Sequence, residues 1–230
     1  MAANSFKSKV SGMESRQIID RIKRIEMGNQ IEENVLRKTF VAMVQSSSLV
    51  LDCGKSLREY HNIVKEKVRI LDTIDINQFE DYPNYLIDIC NRNQMQKLKG
   101  KYDFIASFSL IEHCYDPISA SNNLFESLKP SGLLIGSAPF LFPRHSPEDL
   151  SYQDFFRFTR DAYAILFPTA SSIELHPLRG RAATSLNVLS TRYRFTFEKR
   201  MSFLANRLNK FGSKGRQALQ SSGYGFIIRK

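Results

Sequence analysis

Short runs of branched apolar residues, most of them closed by an acidic residue or a glycine, recur along this chain with helix-forming stretches between them. SLVLDCG (48–54), VRILDTIDI (68–76), YLIDIC (85–90), YDFIASFSLIEH (102–113) and LLIGSAPF (133–140) are the first five. SSIELHPL (171–178) and GYGFIIRK (223–230) follow. Runs this apolar suit strands covered on both faces, and their alternation with helices predicts crossover units and a mostly parallel sheet. The expectation is one α/β domain over 46–230 with a seven-stranded sheet, helices on both faces and an antiparallel last strand, preceded by a helical extension over 1–45.

Local signals mark the helices. Ile18, Ile22 and Ile25 share a helical face before a break at Gly28-Asn29, and Ile31, Val35 and Phe40 belong to a second helix. Asp116 followed by Pro117 is the signature of a capped start, and ISASNNLFESL runs from there to the KPSG turn at 129–132. FTRDAYAILF (158–167) reads as a further helix, and 139–220 as a lid and substrate region.

Charge is unevenly placed. The last 55 residues hold 12 Lys/Arg against the single Glu198, whereas residues 1–175 hold 21 basic and 22 acidic side chains. Phe197, Met201, Leu204, Leu208 and Phe211 recur at spacings of one helical stripe, with Arg194, Lys199, Arg200, Arg207 and Lys210 on the remaining surface. Two readings stay open: a helix packed on the parent domain with its charges solvated, or an interfacial helix at an anionic membrane or a lipid-linked, phosphate-bearing glycan. No nucleic-acid recognition motif accompanies the charge, so nucleic acid is not the expected partner. There is no apolar run of transmembrane length and no apolar leader, and Cys53, Cys90 and Cys114 have no zinc-type spacing. A cytoplasmic protein with reduced thiols and no metal is the expectation.

In an open parallel sheet ligands collect beyond the carboxyl ends of the strands, beside the switch point. The polar residues at those ends are Asp52, Gly54 and Ser56, then Asp75, then Asp88, then Ser107, Ser109, Glu112 and His113. Asp75 follows Gly54 by 21 residues, near the spacing at which a carboxylate reaches the ribose of a nucleoside held at the glycine turn. Each of these acids alone could equally be a strand-end turn residue. His113 is either a helix-entry residue bonded to the next turn or a substrate-facing group.

Taken in order, LDCGKS (51–56) with Tyr60, IDI (74–76), IDI (87–89), IEHCYDP (111–117), LKPSG (128–132) and PFLFPRHSPEDLSYQDFFRFT (139–159) make the sequence resemble the class I S-adenosylmethionine-dependent methyltransferases. The likeness is to the small bacterial branch associated with cell-surface glycan genes, and covers roughly residues 35–230. It departs at Ser56, where that family prefers glycine, at Lys55, which replaces a small residue, and at Ser131, which replaces the first glycine of a Lys-Pro-Gly-Gly turn.

The resemblance implies S-adenosylmethionine as cofactor on a Rossmann-like sheet. Asp52, Gly54 and Ser56 would lie along its methionine part, Asp75 and Ile76 at the ribose, Asp88 and Ile89 beside the adenine, and Ser107 to Ser109 across the pocket. It places His145 in the substrate lid. There a neutral imidazole could take a proton from a sugar hydroxyl, oriented by Asp149, or both could simply bind loop backbone. Arg157 either clamps an anionic substrate group or pairs internally with Asp154 or Asp161. The activity implied is methyl transfer to an oxygen of a sugar or other small molecule. The rival is a catalytically inactive scaffold on the same fold.

Overall fold

The computed structural model describes residues 15–147, 152–181, 184–185 and 219–230. Asp149 and the basic stripe between Phe197 and Phe211 lie outside them. The strands are β1 (Ile25–Met27), β2 (Leu49–Cys53), β3 (Ile70–Asp75), β4 (Tyr85–Leu86), β5 (Tyr102–Phe108), β6 (Leu128–Pro139), β7 (Ser172–Pro177) and β8 (Gly223–Arg229). They form one sheet in the order β1-β7-β8-β6-β5-β2-β3-β4. Every pairing is parallel except the two made by β8, which lies between β6 and β7 and runs against both.

The described residues give the sheet eight strands where the sequence predicts seven. The addition is β1, inside the first apparent helical stretch: Ile25 shares the stripe of Ile18 and Ile22, yet it pairs with Ile173 of β7. Three residues are too few for an alternation of their own to show.

The helices are α1 (Ser15–Lys23), α2 (Glu33–Met43), α3 (His61–Lys67), α4 (Arg92–Met95), α5 (Pro117–Ser127) and α6 (Tyr163–Leu166). Successive strand residues point to opposite faces, so the core has two layers. Val50, Ala106, Leu133 and Ile135 meet Leu36, Phe40 and Val44 from α2 and its end, with Leu57 and Val64. Leu51, Ile105, Leu134 and Phe226 meet Leu124 and Phe125 of α5 together with Tyr163, Leu166 and Phe167. The Asp116 carboxylate accepts from Ser119 N at 3.0 Å with Pro117 in the first turn, so α5 starts where the sequence marks it.

Strand β6 begins earlier than expected, at Leu128, and carries the KPSG segment within it. Ser131 has φ +65°, the left-handed conformation for which glycine is suited, and the β5–β6 register shifts between Tyr102 and Phe104. Gly136 is required for space: a Cβ there would lie 1.8 Å from Ser107 O of the neighbouring strand.

Asp103 ties two strand starts together. It accepts from Leu49 N at 2.8 Å and from Lys129 Nζ at 2.8 Å. Burial alone would raise its carboxyl, but these donors hold it below the ordinary value. A lowered carboxyl stabilises the fold above the unfolded-state pKa, about 3.9, and that contribution disappears as the pH falls through the folded value. Asp103→Asn is therefore expected to be less stable than wild type at neutral pH, the gap closing as urea midpoints are followed down from about pH 4. A gap independent of pH would assign the loss to packing.

Among the described residues no helix is long and apolar enough to cross a membrane.

Candidate functional site

The chain leaves β2 toward β3 and β4 on one side, then returns to β5 and β6 on the other, so the switch point lies between β2 and β5. Because β3, β2, β5 and β6 are mutually parallel, Cys53, Asp75, Phe108 and Pro139 end at the same edge of the sheet.

At β2 the turn is built around Asp52. Its buried carboxylate accepts from Ser56 Oγ at 3.0 Å, Leu57 N at 3.2 Å and His61 Nδ1 of α3 at 2.8 Å. Asp52 thus organises the loop from within. Gly54 takes φ +64° and remains exposed. Lys55 (φ +49°) and Arg58 (φ +53°) carry left-handed backbone, whereas Ser56 does not. Ser56, where the resemblance expects glycine, is therefore accommodated without left-handed strain, and that strain sits at Lys55 and Arg58 instead, on the order of 1–2 kcal/mol each. The ammonium of Lys55 lies 5.7 Å from the centroid of the Tyr82 ring.

At β3, Asp75 Oδ1 accepts from Asn77 N and Oδ2 from the Tyr82 hydroxyl, each at 2.9 Å. A carboxylate has about four acceptor positions, so half its capacity is free. Burial and the adjacent Asp75 push the Tyr82 phenol far upward, fixing it as a donor. Ile76 beside Asp75 is 60% exposed, an apolar surface next to that carboxylate. Asp88 accepts from Cys90 N and from the Tyr115 hydroxyl, each at 2.8 Å, and that bond moves the Tyr115 phenol to about 12. Ile89 is buried.

At β5, Ser107 is buried with its hydroxyl lacking a partner, while Ser109 has φ +50°. Glu33 of α2 crosses to this edge: Oε2 accepts from Ser137 Oγ at 2.9 Å and Ser109 Oγ at 3.3 Å, and Oε1 pairs with Arg37. Arg37 is 3% exposed, donates from Nε to Ser56 O at 3.0 Å, and stacks 4.7 Å from the Phe108 ring centroid.

A second group lies beyond β5 and β6. Glu112, in the turn Ile111–His113, is buried, and neither carboxylate oxygen has a hydrogen-bond partner. Burial pushes its carboxyl up to about 8, with Glu33 and Asp154 adding to the shift. His113 Nε2 and His145 Nε2 stand 3.7 and 3.8 Å from Glu112 Oε1. Burial lowers His113, whose Nδ1 meets the Gln153 carbonyl. The segment carrying Gln153 is held down by Phe155 N and Phe156 N, which donate to Glu112 O at 3.0 and 3.1 Å.

Among the described residues the carboxylate beside His145 Nδ1 is Asp154: it accepts from His145 N at 2.9 Å and stands 3.3 Å from Nδ1. Arg157 takes the internal alternative. Its donors go to Asp154 Oδ1 and Oδ2 and to the carbonyls of Phe142, Pro143 and Phe156. All five guanidinium hydrogens are used within the loop. This holds the Asp154 carboxyl at about 2 despite the upward pull of burial.

No family model and no curated protein sequence matches the chain. Solved structures do. A SAM-dependent methyltransferase from Archaeoglobus fulgidus aligns with TM-score 0.54 at 14% identity, over 86% of this chain and 92% of that one. The fold is that of the S-adenosylmethionine-dependent methyltransferases. A Haemonchus contortus phosphoethanolamine N-methyltransferase 2 in complex with S-adenosyl-L-methionine aligns with TM-score 0.50 at 14% identity, over 88% of this chain and 54% of that one. The [4+2]-cyclase SpnF has the same fold, with TM-score 0.52 and 11% identity over 93% of each chain. The methyltransferase fold therefore carries more than one chemistry, and the residues at its carboxyl edge must decide which.

Of the residues singled out from the sequence, Asp52, Gly54 and Ser56 come together in one turn, with Asp75 and Ile76 on the adjacent strand. His113 and His145 come together with Glu112. Glu33, Arg37, His61 and Tyr82 are the participants that sequence reading misses, and Asp154, expected only as a partner of Arg157, also faces His145. Only Tyr82 had a local hint, standing a few residues beyond Asp75 in a turn-rich segment.

Proposed function

We propose that this chain is an S-adenosylmethionine-dependent methyltransferase acting on an oxygen of a sugar or other small molecule. The observation that carries this reading is Asp75. Its half-free carboxylate stands at the end of the strand next to the Gly54 turn, beside the exposed Ile76. Two free acceptor positions suit a vicinal ribose diol, and an apolar neighbour suits the flat face of a purine. The exposed Gly54 leaves the backbone open to a methionine moiety, with Lys55 drawn toward Tyr82. These residues fit the cofactor, which supplies an electrophilic methyl group on a sulfonium.

The acceptor oxygen belongs, in this reading, at Glu112, His113 and His145. They follow β5 and β6, the strands on the other side of the switch point, and they can hold a proton or orient a hydroxyl. Two imidazoles are suited to a neutral hydroxyl. Arg157, with every donor engaged inside the loop, is not needed for an anion.

Calorimetric titration with S-adenosylmethionine and S-adenosylhomocysteine tests the reading. Micromolar affinity for either is expected. Absence of binding up to about 1 mM, where the interaction would contribute less than about 4 kcal/mol, would return the chain to the scaffold class.

A further inference from the structure

We propose that Glu112, His113 and His145 bind a divalent first-row transition metal ion, with zinc as the best match. Three observations converge on it. The carboxylate of Glu112 is buried, and both its oxygens are without a hydrogen-bond donor. Buried polar groups are almost always satisfied, and a carboxylate left bare in the interior is costly. A cation set against it would satisfy those oxygens and hold the carboxylate in its charged form.

The surroundings supply metal ligands. One atom each from Glu112, His113 and His145 can be chosen so that all lie within 4.8 Å of one another. Both imidazoles turn Nε2 toward Glu112 Oε1, at 3.7 and 3.8 Å. Ligands of one tetrahedral ion at bond lengths near 2.0–2.1 Å are about 3.4 Å apart, so the two imidazoles stand within a few tenths of an ångström of that spacing from Glu112 Oε1, and the whole cluster, within 4.8 Å, draws together around an ion. Among the described residues no arginine or lysine pairs with this carboxylate: Arg157 acts on it only through space and spends every donor elsewhere.

The far sides of the rings are held as metal-binding imidazoles are usually held. His113 Nδ1 meets the carbonyl of Gln153, which fixes the hydrogen on Nδ1 and leaves the Nε2 lone pair facing Glu112. His145 Nδ1 faces Asp154 Oδ2 at 3.3 Å, a carboxylate behind an imidazole. Arg157 in turn fixes Asp154. The Gln153 carbonyl thus orients His113 before any ion arrives, and Asp154 stands ready behind His145.

Two imidazoles and one carboxylate suit zinc, iron or manganese, and not the all-oxygen preference of calcium or magnesium. Three protein ligands leave a coordination position open, and the side chain of His145 is 27% exposed, so that position is reachable. On the methyltransferase reading an acceptor hydroxyl would take the open position, where a metal lowers its pKa. Metal binding itself does not depend on that reading.

The test uses the full chain after chelator treatment, titrated with zinc chloride by calorimetry and with cobalt(II) by visible absorption. One ion per chain at micromolar or tighter affinity is expected, with no thiolate charge-transfer band in the cobalt spectrum. His145→Ala and Glu112→Gln should each weaken zinc binding at least about tenfold, whereas His176→Ala should not change it. His145 is partly exposed, so its variant remains informative if Glu112→Gln fails to fold by circular dichroism.

Absence of saturable binding up to about 1 mM zinc would overturn the proposal. So would binding that survives both His113→Ala and His145→Ala, which would put the ion elsewhere. Cofactor titrations run with chelator present keep the two readings apart. Loss of zinc binding with cofactor binding intact rejects only the metal; the reverse rejects only the methyltransferase.

Discussion

Asp75→Ala is expected to weaken S-adenosylhomocysteine binding by at least about a hundredfold, close to 3 kcal/mol. The estimate follows from capacity. Two acceptor positions of the Asp75 carboxylate are already taken, by Asn77 N and the Tyr82 hydroxyl. The other two are available to a diol, and a hydrogen bond to a charged group contributes about 1.5–3 kcal/mol. The effect should appear in affinity and hardly in folding, because Tyr82 also donates to Ile74 O at 3.2 Å and keeps a partner when Asp75 is removed.

Two companion variants separate the roles. Asp75→Asn keeps the shape, loses the charge and should fall between wild type and alanine. Tyr82→Phe leaves the carboxylate in place but frees it to turn, and a loss of about threefold to tenfold is expected, equivalent to a neutral hydrogen bond. Equal affinity in wild type and Asp75→Ala, with the cofactor still bound, would move the ribose away from β3.

What the sequence made legible was local, and what it concealed joins distant segments. Strands β2, β3, β5 and β6 announce themselves because they are apolar on both faces. Helix α5 does so because Asp116 and Pro117 are its own neighbours. Helix α3 leaves no comparable trace: Val64 is its single buried residue, so HNIVKEK has no stripe to detect. The acids at strand ends follow from topology, which is why Asp52 and Asp75 could be placed beforehand.

Their partners could not. Glu33 reaches Ser109 and Ser137 across 76 and 104 positions, and no periodicity encodes such a pairing. The lid shows the same limit on a shorter scale. Sequence reasoning pairs His145 with Asp149, which lies outside the described residues; it does not give His145 the partner Asp154, which the loop brings to the imidazole by folding back onto the Glu112 carbonyl through Phe155 and Phe156. Arg157 was read as either a substrate clamp or an internal partner, and loop closure decides it by using all its donors.

The other large effect is expected at Arg37, a residue that touches no proposed ligand. Arg37→Ala should destabilise the fold by about 3 kcal/mol or more, because it strands a mostly buried Glu33 carboxylate with only the Ser137 and Ser109 hydroxyls for company. For a chain of 230 residues that corresponds to a melting point lower by about 6–12 °C. The pair itself need not be stabilising. Glu33→Gln combined with Arg37→Met removes both charges and should recover a good part of the loss, the sign of an ion pair whose desolvation nearly offsets its attraction. The double variant should not recover cofactor affinity, because Arg37 Nε is also the donor that fixes the Ser56 carbonyl in the turn below Asp52. Stability regained without affinity would show that the ion pair is retained for the shape of the cofactor turn. Affinity regained along with stability would show that the turn holds itself, through Asp52, His61 and Leu57 alone.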